Sequence, residues 1–174
     1  MLKSQHSLLA ALGAFALVLA GCLPASRISS GGASSAEARR TIERSRTAAS
    51  LGYDRRKVLD EAEKWLGTPY RFGGTTRSGV DCSGFICNVF QTIDQRLPRN
   101  SAEQAGVGRS VNLSQALPGD LVFFNTSGSG VSHVGILVDN DSFVHASTSI
   151  GVTVSRLSES YYSSRFMFIR RVLD

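Results

Sequence analysis

Apolar residues follow a helical period in the first part of residues 51–174 and a strand-like alternation in the second part. One apolar stripe predicts a first helix, with Asp54 as its candidate cap and Gly67 as its stop; the stripe is Val58, Ala62, Trp65 and Leu66. A second helix is predicted from apolar positions at i, i+3, i+4, i+7, i+8 and i+11, namely Cys82, Phe85, Ile86, Val89, Phe90 and Ile93. A capping-box pattern at Ser101–Gln104 predicts a short third helix.

The period changes after Pro118-Gly119. Short β-branched or aromatic runs follow, separated by turn-forming residues: "DLVFFN", "VSHVGILVD", "SFVHAS", "GVTVSRL" and "RFMFIRRVL". Helices followed by about five antiparallel strands predict a single α+β domain over residues 51–174, with no internal repeat.

The N-terminus has a different pattern. Lys3 precedes an uncharged apolar run of 13 residues (8–20), which is too short to span a bilayer but is typical of a signal peptide. The run ends in Leu19-Ala20-Gly21-Cys22, which resembles the lipobox of bacterial lipoproteins. The resemblance implies a signal peptide over residues 1–21, lipidation of Cys22 and, with Leu23 instead of Asp, an anchor on the periplasmic side of the outer membrane. A plain signal peptide, or a buried helix with an incidental cysteine, are the alternatives.

Residues 22–50 are rich in Ser, Ala, Gly and Arg and show no apolar period, so we predict a flexible tether there. The formal net charge of the chain is +5, but residues 51–174 contain 13 Lys and Arg against 12 Asp and Glu. This near neutrality argues against nucleic acid as a partner, because nucleic-acid binding needs a basic face on the folded domain.

Two cysteines, Cys82 and Cys87, lie within residues 51–174. Five positions apart on one helix, they point about 140° away from each other, so a disulfide between them would break the helix. Both are therefore predicted to be free thiols. Cys82 falls in the first turn of its helix, where unsatisfied N–H groups and the helix dipole are expected to lower the pKa of a thiol and to stabilise an oxyanion. The alternative is a buried core cysteine.

Two of the three histidines of the chain, His133 and His145, lie in neighbouring predicted strands. A three-residue loop, Asp139–Asp141, pairs Gly135 with His145 and makes His133 the diagonal neighbour of His145, at ~7–8 Å between Cα atoms. This spacing suits a relay in which one imidazole activates a thiol and the other orients the first. A pair of structural histidines, or a zinc site shared with Cys82, are the alternatives.

The motifs "DCSGF", "SHVGI" and "FVHAS", with "TPYRFGG" and "LPGDLVFF" before them, resemble those of the NlpC family of bacterial cell-wall cysteine peptidases. The resemblance covers nearly all of residues 54–173, and the layout is similar to that of murein endopeptidase lipoproteins. It implies a papain-like fold in which N-terminal helices pack on a five- to six-stranded antiparallel sheet and the nucleophile lies at a helix N-terminus.

The resemblance implies roles for six residues of the domain. Cys82 would be the nucleophile, His133 its general base and then general acid, and His145 the orienting residue. Tyr70 would bind at the catalytic centre or the oxyanion site, or only anchor its loop. Asp81 and Ser83 would hold the polar head of the substrate, with helix capping as the alternative for Asp81. This chemistry needs no cofactor and no metal.

The implied activity is hydrolysis of peptidoglycan, at the γ-D-glutamyl–diaminopimelate bond of stem peptides or at the D-amino-acid cross-link between stems. The implied partners are stem peptides and, through the lipid, a membrane; the domain is expected to be monomeric. A non-catalytic wall-binding lipoprotein, and an amidase or acyltransferase with the same Cys-His chemistry, are the alternatives.

Overall fold

The computed structural model describes residues 33–47 and 50–173. Its helices are α1 (Ser35–Arg46), α2 (Tyr53–Lys64), α3 (Cys82–Gln91), α4 (Ser101–Gln104) and α5 (Ser160–Ser163), with one 3-10 turn at Leu113–Gln115. Its strands are β1 (Thr75–Thr76), β2 (Gly79–Val80), β3 (Arg109–Val111), β4 (Leu121–Phe124), β5 (His133–Leu137), β6 (Ser142–Ser147), β7 (Gly151–Arg156) and β8 (Phe166–Arg171).

Six of these strands form one antiparallel sheet in the order β3-β8-β4-β5-β6-β7. Successive residues of a strand point to opposite faces, so the sheet carries two apolar clusters. Phe123, Val134 and Val144 pack with the apolar residues of α1, α2 and α3, whereas Phe124 and Phe143 belong to the cluster on the other face. The predicted α+β fold, with N-terminal helices packed on an antiparallel sheet, is confirmed.

Helix α3 determines the position of Cys82. Asp81 caps the helix by accepting a hydrogen bond from the Gly84 N–H at 2.7 Å, and the apolar stripe that follows it is buried. The helix packs against β5 and β6, and the Phe85 ring makes an edge contact with Trp65, with 6.2 Å between the ring centroids. Cys82 is thereby held at the end of a rigid helix that faces the two histidine strands.

The prediction of a flexible tether is wrong for residues 35–46, which form helix α1. The helix buries Ala38, Thr41 and Ile42, and Ser34 caps it. Only one of the three buried residues is a large aliphatic, so the apolar period is too weak to recognise in the sequence, and packing on the domain stabilises the helix instead. Residues 1–32, 48 and 49 lie outside the described residues, and they include the predicted signal peptide and the predicted lipidation site Cys22.

Helix α1 is also joined to the domain by polar contacts. The Ala33 N–H donates to the Val154 carbonyl at 3.2 Å, on the outer edge of β7, and the Ser45 hydroxyl donates to the carbonyl of Val138. The Arg46 guanidinium donates to Asp60 of α2 at 2.6 Å. Residues 35–46 therefore belong to the folded domain.

We expect Ile42→Ala to lower the free energy of unfolding by about 2–5 kcal/mol, because Ile42 is fully buried and its truncation leaves a cavity. Urea denaturation of the purified domain measures the change. The matched control is Arg40→Ala, an exposed position on the same helix, for which we expect a change of less than about 0.5 kcal/mol. Equal stability of the two variants would show that α1 contributes nothing to folding.

Two predicted helix caps are off by one or two residues. The N-cap of α2 is Gly52, so that Asp54 lies in the first turn, and α4 is capped by Asn100, whose side-chain oxygen accepts from the Glu103 N–H at 2.8 Å. Within the described residues, no helix combines the length and the apolar composition that crossing a bilayer requires.

A buried ionic cluster joins α2 to the sheet and the C-terminal strand. Asp120, which is inaccessible to solvent, accepts from Arg55 at 3.0 Å and from the Arg171 Nη2 at 2.7 Å. The Leu117 N–H donates to the same carboxylate at 2.9 Å. The "LPGD" stretch before β4 is thus a structural junction.

Candidate active site

Cys82 is 8% exposed at the start of α3. Burial raises the pKa of its thiol to about 11, with a further contribution from the neighbouring Asp81 carboxylate. Backbone N–H groups of Val134, Ser83 and Cys82 act in the opposite direction. The prediction that the helix start would lower this pKa is wrong, because the loss of hydration outweighs the helix N–H groups. The hydrogen bond from the Val134 N–H places the thiol next to the start of strand β5.

The two histidines face each other on neighbouring strands. Nε2 of His133 lies 2.9 Å from Nδ1 of His145, and the ring planes are nearly perpendicular. The ladder pairs Ile136 with Val144, which continues to Gly135 opposite His145, so the predicted register is confirmed. A Cβ on Gly135 would lie 2.7 Å from the Phe143 ring and 3.2 Å from the His145 Cβ, so only glycine fits at this position.

Burial keeps both imidazoles neutral. It lowers the pKa of His133 to about 4, and it lowers that of His145 well below its usual value, with the neighbouring His133 acting in the same direction. His133 is 7% exposed and His145 is not exposed at all. At neutral pH His133 is therefore an unprotonated imidazole.

Two hydroxyl groups that the sequence did not point to complete the surroundings of His145. Its Nε2 lies 3.1 Å from the Ser155 hydroxyl oxygen and 3.2 Å from that of Tyr162. Ser155 comes from β7 and Tyr162 from α5. On β7, Thr153 pairs with His145, and the alternation of side chains along the strand places Ser155 on the same face as Thr153. No sequence motif indicates the contact of either hydroxyl group with His145.

Asp81 and Ser83 lie in a closed hydrogen-bond network around the helix start. Arg99 donates to the two Asp81 oxygens at 2.8 and 2.7 Å, and the Gly73 N–H donates at 2.9 Å. The Ser83 hydroxyl donates to Asp81 at 3.1 Å and accepts from Arg99 at 2.9 Å. The structure thus assigns Asp81 its capping role, and it adds Arg99, whose side chain is 44% exposed and which the sequence analysis missed.

Charge balance in this network favours ionised Asp81. Burial raises the pKa of its carboxyl, but the hydrogen bonds from Arg99 and from the Gly84 N–H, together with the charge of Arg99, lower it more, and the net shift is downward. The Arg99 guanidinium neutralises a carboxylate that is the immediate neighbour of the nucleophile. A substrate contact by Asp81 or Ser83 stays a prediction.

Tyr70 is half-buried in the loop before β1 and forms a parallel bridge with Val80. Burial raises the pKa of its phenol, and Cys82 and Asp81 raise it further. At neutral pH the phenol is therefore protonated and can act as a hydrogen-bond donor. A role of Tyr70 at the catalytic centre stays a prediction.

Cys87 has a different environment from Cys82. Its thiol donates to the carbonyls of Pro98 and Leu97 at 3.2 and 3.4 Å. Both cysteines are free, as predicted. No group of three or more His, Cys, Asp or Glu side chains suited to a metal ion occurs in residues 33–47 and 50–173.

A thiol at the start of a helix, packed against a sheet that presents a hydrogen-bonded histidine pair, has the components of a papain-like cysteine hydrolase. The model of the NlpC/P60 family matches residues 67–171, which include Cys82 and both histidines. The chain belongs to the NlpC/P60 family.

Three similar proteins illustrate the relationship. The chain is 48% identical over 115 residues to the probable endopeptidase NlpC of Escherichia coli, covering 65% of this chain and 75% of that protein. It is 44% identical over 119 residues to the murein DD-endopeptidase/murein LD-carboxypeptidase MepS of Escherichia coli, covering 68% and 63%. The crystal structure of an NlpC/P60 family protein from Bacillus cereus superposes with a TM-score of 0.65 at 27% identity, covering 69% of this chain and 40% of that one.

The protonation states lead to a prediction about thiol reactivity. We expect the rate at which iodoacetamide alkylates Cys82 to rise about tenfold per pH unit from about pH 6 to about pH 10, because only the thiolate reacts and its pKa is about 11. Mass spectrometry of a Cys22→Ser/Cys87→Ser variant measures the rate. The same variant with Cys82→Ala gives the background. A rate that is constant across neutral pH would instead indicate a thiolate–imidazolium pair in the free protein.

Proposed function

We propose that this protein is a peptidoglycan hydrolase of the cysteine-peptidase type. The observation that carries the proposal is the 2.9 Å histidine pair on β5 and β6, against which the helix of Cys82 packs, in a chain of the NlpC/P60 family. The names of the two Escherichia coli relatives support it, since one is a probable endopeptidase and the other a murein DD-endopeptidase.

The geometry supports acyl transfer in two halves. The Cys82 sulfur attacks the amide carbonyl carbon while His133 takes the thiol proton; His133 then gives this proton to the amine nitrogen as the C–N bond breaks. Water attacks the resulting thioester while His133 takes one proton from the water; as the C–S bond breaks, His133 returns this proton to the sulfur, which regenerates the thiol and releases the carboxylic acid. The N–H groups at the start of α3 and the Tyr70 phenol are the proposed hydrogen-bond donors to the oxyanion.

The finer proposal is that the scissile amide is the D-amino-acid cross-link between two stem peptides. It is supported by the name of the relative MepS, a murein DD-endopeptidase. The γ-D-glutamyl–diaminopimelate bond within one stem is the competing assignment. Both bonds are amides that the same thiol and imidazole can cleave, so the two assignments are distinguished by the reaction products.

Digestion of purified cross-linked sacculi tests the proposal. Protein lacking Cys22 is incubated with sacculi, and released muropeptides are identified by mass spectrometry. Loss of cross-linked dimers with intact stems identifies the cross-link as the substrate, whereas shortened stems identify the γ-glutamyl bond. Sacculi that are unchanged after incubation with the wild-type domain would contradict the hydrolase assignment.

The lipid anchor is a separate proposal that rests on the lipobox-like residues Leu19–Cys22. We propose that Cys22 is lipidated and holds a monomeric domain at the periplasmic side of the outer membrane. Metabolic labelling with an alkyne fatty acid, followed by membrane fractionation, tests it. Label on the wild type that is lost in Cys22→Ala is the expected result, and equal labelling of both would contradict it.

A further inference from the structure

His145 uses both of its ring nitrogens in hydrogen bonds, and only one of them faces His133, the base of the proposed mechanism. Nδ1 faces His133, whereas Nε2 faces the hydroxyl groups of Ser155 and Tyr162 at 3.1 and 3.2 Å. Ser155 is 4% exposed and Tyr162 is 9% exposed. Two buried hydroxyls on different elements thus converge on one nitrogen atom.

The proposed role of His133 as the base fixes which ring nitrogens of His133 and His145 carry a proton. To accept the thiol proton, His133 needs a free lone pair on Nδ1, and its only proton must then be on Nε2. That N–H points at Nδ1 of His145, which must therefore be unprotonated. The single proton of neutral His145 is left on its Nε2, where a hydrogen-bond acceptor has to be present.

We propose that Ser155 and Tyr162 are positioning residues that hold His145 in the tautomer with its proton on Nε2. The inference rests on the proposed function, because it assigns His133 as the base that this tautomer supports. Either hydroxyl oxygen can accept from the Nε2–H while its own hydrogen turns elsewhere. No charged side chain lies within hydrogen-bonding distance of the His145 ring in the part of the chain that the structure describes.

The surroundings of His145 select hydroxyl groups over a carboxylate. Its ring packs against those of Phe143 and Tyr162, with centroid distances of 4.8 and 5.3 Å, in a site without solvent access. A carboxylate here would be a buried charge with no cation beside it, whereas two hydroxyls accept the same hydrogen bond without a net charge. Burial raises the pKa of Tyr162 to about 12, so that its hydroxyl stays neutral.

The tautomer of His145 has its largest effect when positive charge develops on His133. As His133 accepts the thiol proton it becomes an imidazolium ion, and its Nε2–H donates to the lone pair on Nδ1 of His145. The opposite tautomer would place an N–H against an N–H and would oppose this charge. The hydroxyls therefore act through His145 on His133, and they do not touch the reacting atoms.

Steady-state kinetics on a purified cross-linked muropeptide dimer test the inference with Ser155→Ala, Tyr162→Phe and the double variant. Each single change leaves one acceptor, so we expect a loss in kcat of less than about tenfold; the double change should lower kcat about 10- to 100-fold with KM nearly unchanged. Ser155→Thr, combined with Tyr162→Phe, should restore most of the loss. Tyr161→Phe on the same helix and Ser142→Ala on β6 are the matched controls and should leave kcat unchanged.

A second measurement does not depend on turnover. Heteronuclear NMR that distinguishes protonated from unprotonated ring nitrogens should show the proton of His145 on Nε2 in the wild type and a mixture of tautomers in the double variant. Unchanged kcat together with an unchanged tautomer in the double variant would overturn the inference. If the double variant does not fold, the two single variants decide by the same two measurements. A wild type that does not cleave the dimer would refute the proposed function, and the NMR result would still decide the tautomer.

Discussion

Cys82→Ala is expected to lower kcat for sacculus digestion by about four to six orders of magnitude, because it removes the sulfur atom that is proposed to form the acyl-enzyme. Release of muropeptides, followed by chromatography over extended incubation, measures the loss. The substitution removes one sulfur atom from a buried position at a helix end that is held by Asp81 and its hydrogen bonds, so the domain should still fold.

Cys87→Ala is the matched control on the same helix. In the middle of the helix, its thiol contacts the carbonyls of Leu97 and Pro98 and the side-chain amide of Gln104, so the variant should keep wild-type turnover. Circular dichroism and thermal unfolding verify that both variants are folded. Turnover by Cys82→Ala within about tenfold of the wild type would remove the covalent mechanism, since truncation of a true nucleophile leaves only the contribution of binding and oxyanion stabilisation.

Asp120→Ala is expected to lower the free energy of unfolding by about 3–5 kcal/mol. The Arg55 and Arg171 side chains are only 6% and 11% exposed, so removing the carboxylate between them leaves two buried cations without their partner. Denaturation in urea at neutral pH measures the change. The loss should appear in the midpoint of the transition rather than in its slope.

The matched control for this prediction is Asp60→Ala. Asp60 also pairs with an arginine, Arg46, at 2.6 Å, but the two side chains are 40% and 32% exposed. An exposed ion pair contributes little, and we expect a change below about 1 kcal/mol. If the two substitutions have equal effects, the burial of Asp120 does not determine its contribution.

Local features of the fold could be predicted from the sequence because their determinants are close together in the chain. The stripe that begins at Cys82 predicts α3, and the three-residue loop at Asp139–Asp141 fixes the register that brings His133 to His145. Helix α1 could not be predicted in this way. Its sequence carries a weak apolar period, and contacts with α2 and β7 stabilise it.

The hydrogen-bond partners of Asp81 and His145 come from distant parts of the chain. Arg99 reaches Asp81 across 18 positions, and Tyr162 reaches His145 across 17. Neither separation along the chain predicts a contact, because each contact depends on the path of the loop that contains Arg99 or of the short helix that contains Tyr162. Motifs therefore predicted the candidate catalytic residues, but not the residues that form hydrogen bonds with them.

The sequence by itself determined the family, the α+β class, the two free thiols and the meeting of His133 with His145. Only the tertiary structure decided the ionisation of the site. At the helix start alone, Cys82 was expected to have a lowered pKa, but in the folded domain burial raises it to about 11 and lowers that of His133 to about 4. Helix position is a local property that can be read along the chain, whereas the loss of hydration depends on every element that packs around the thiol and the imidazole.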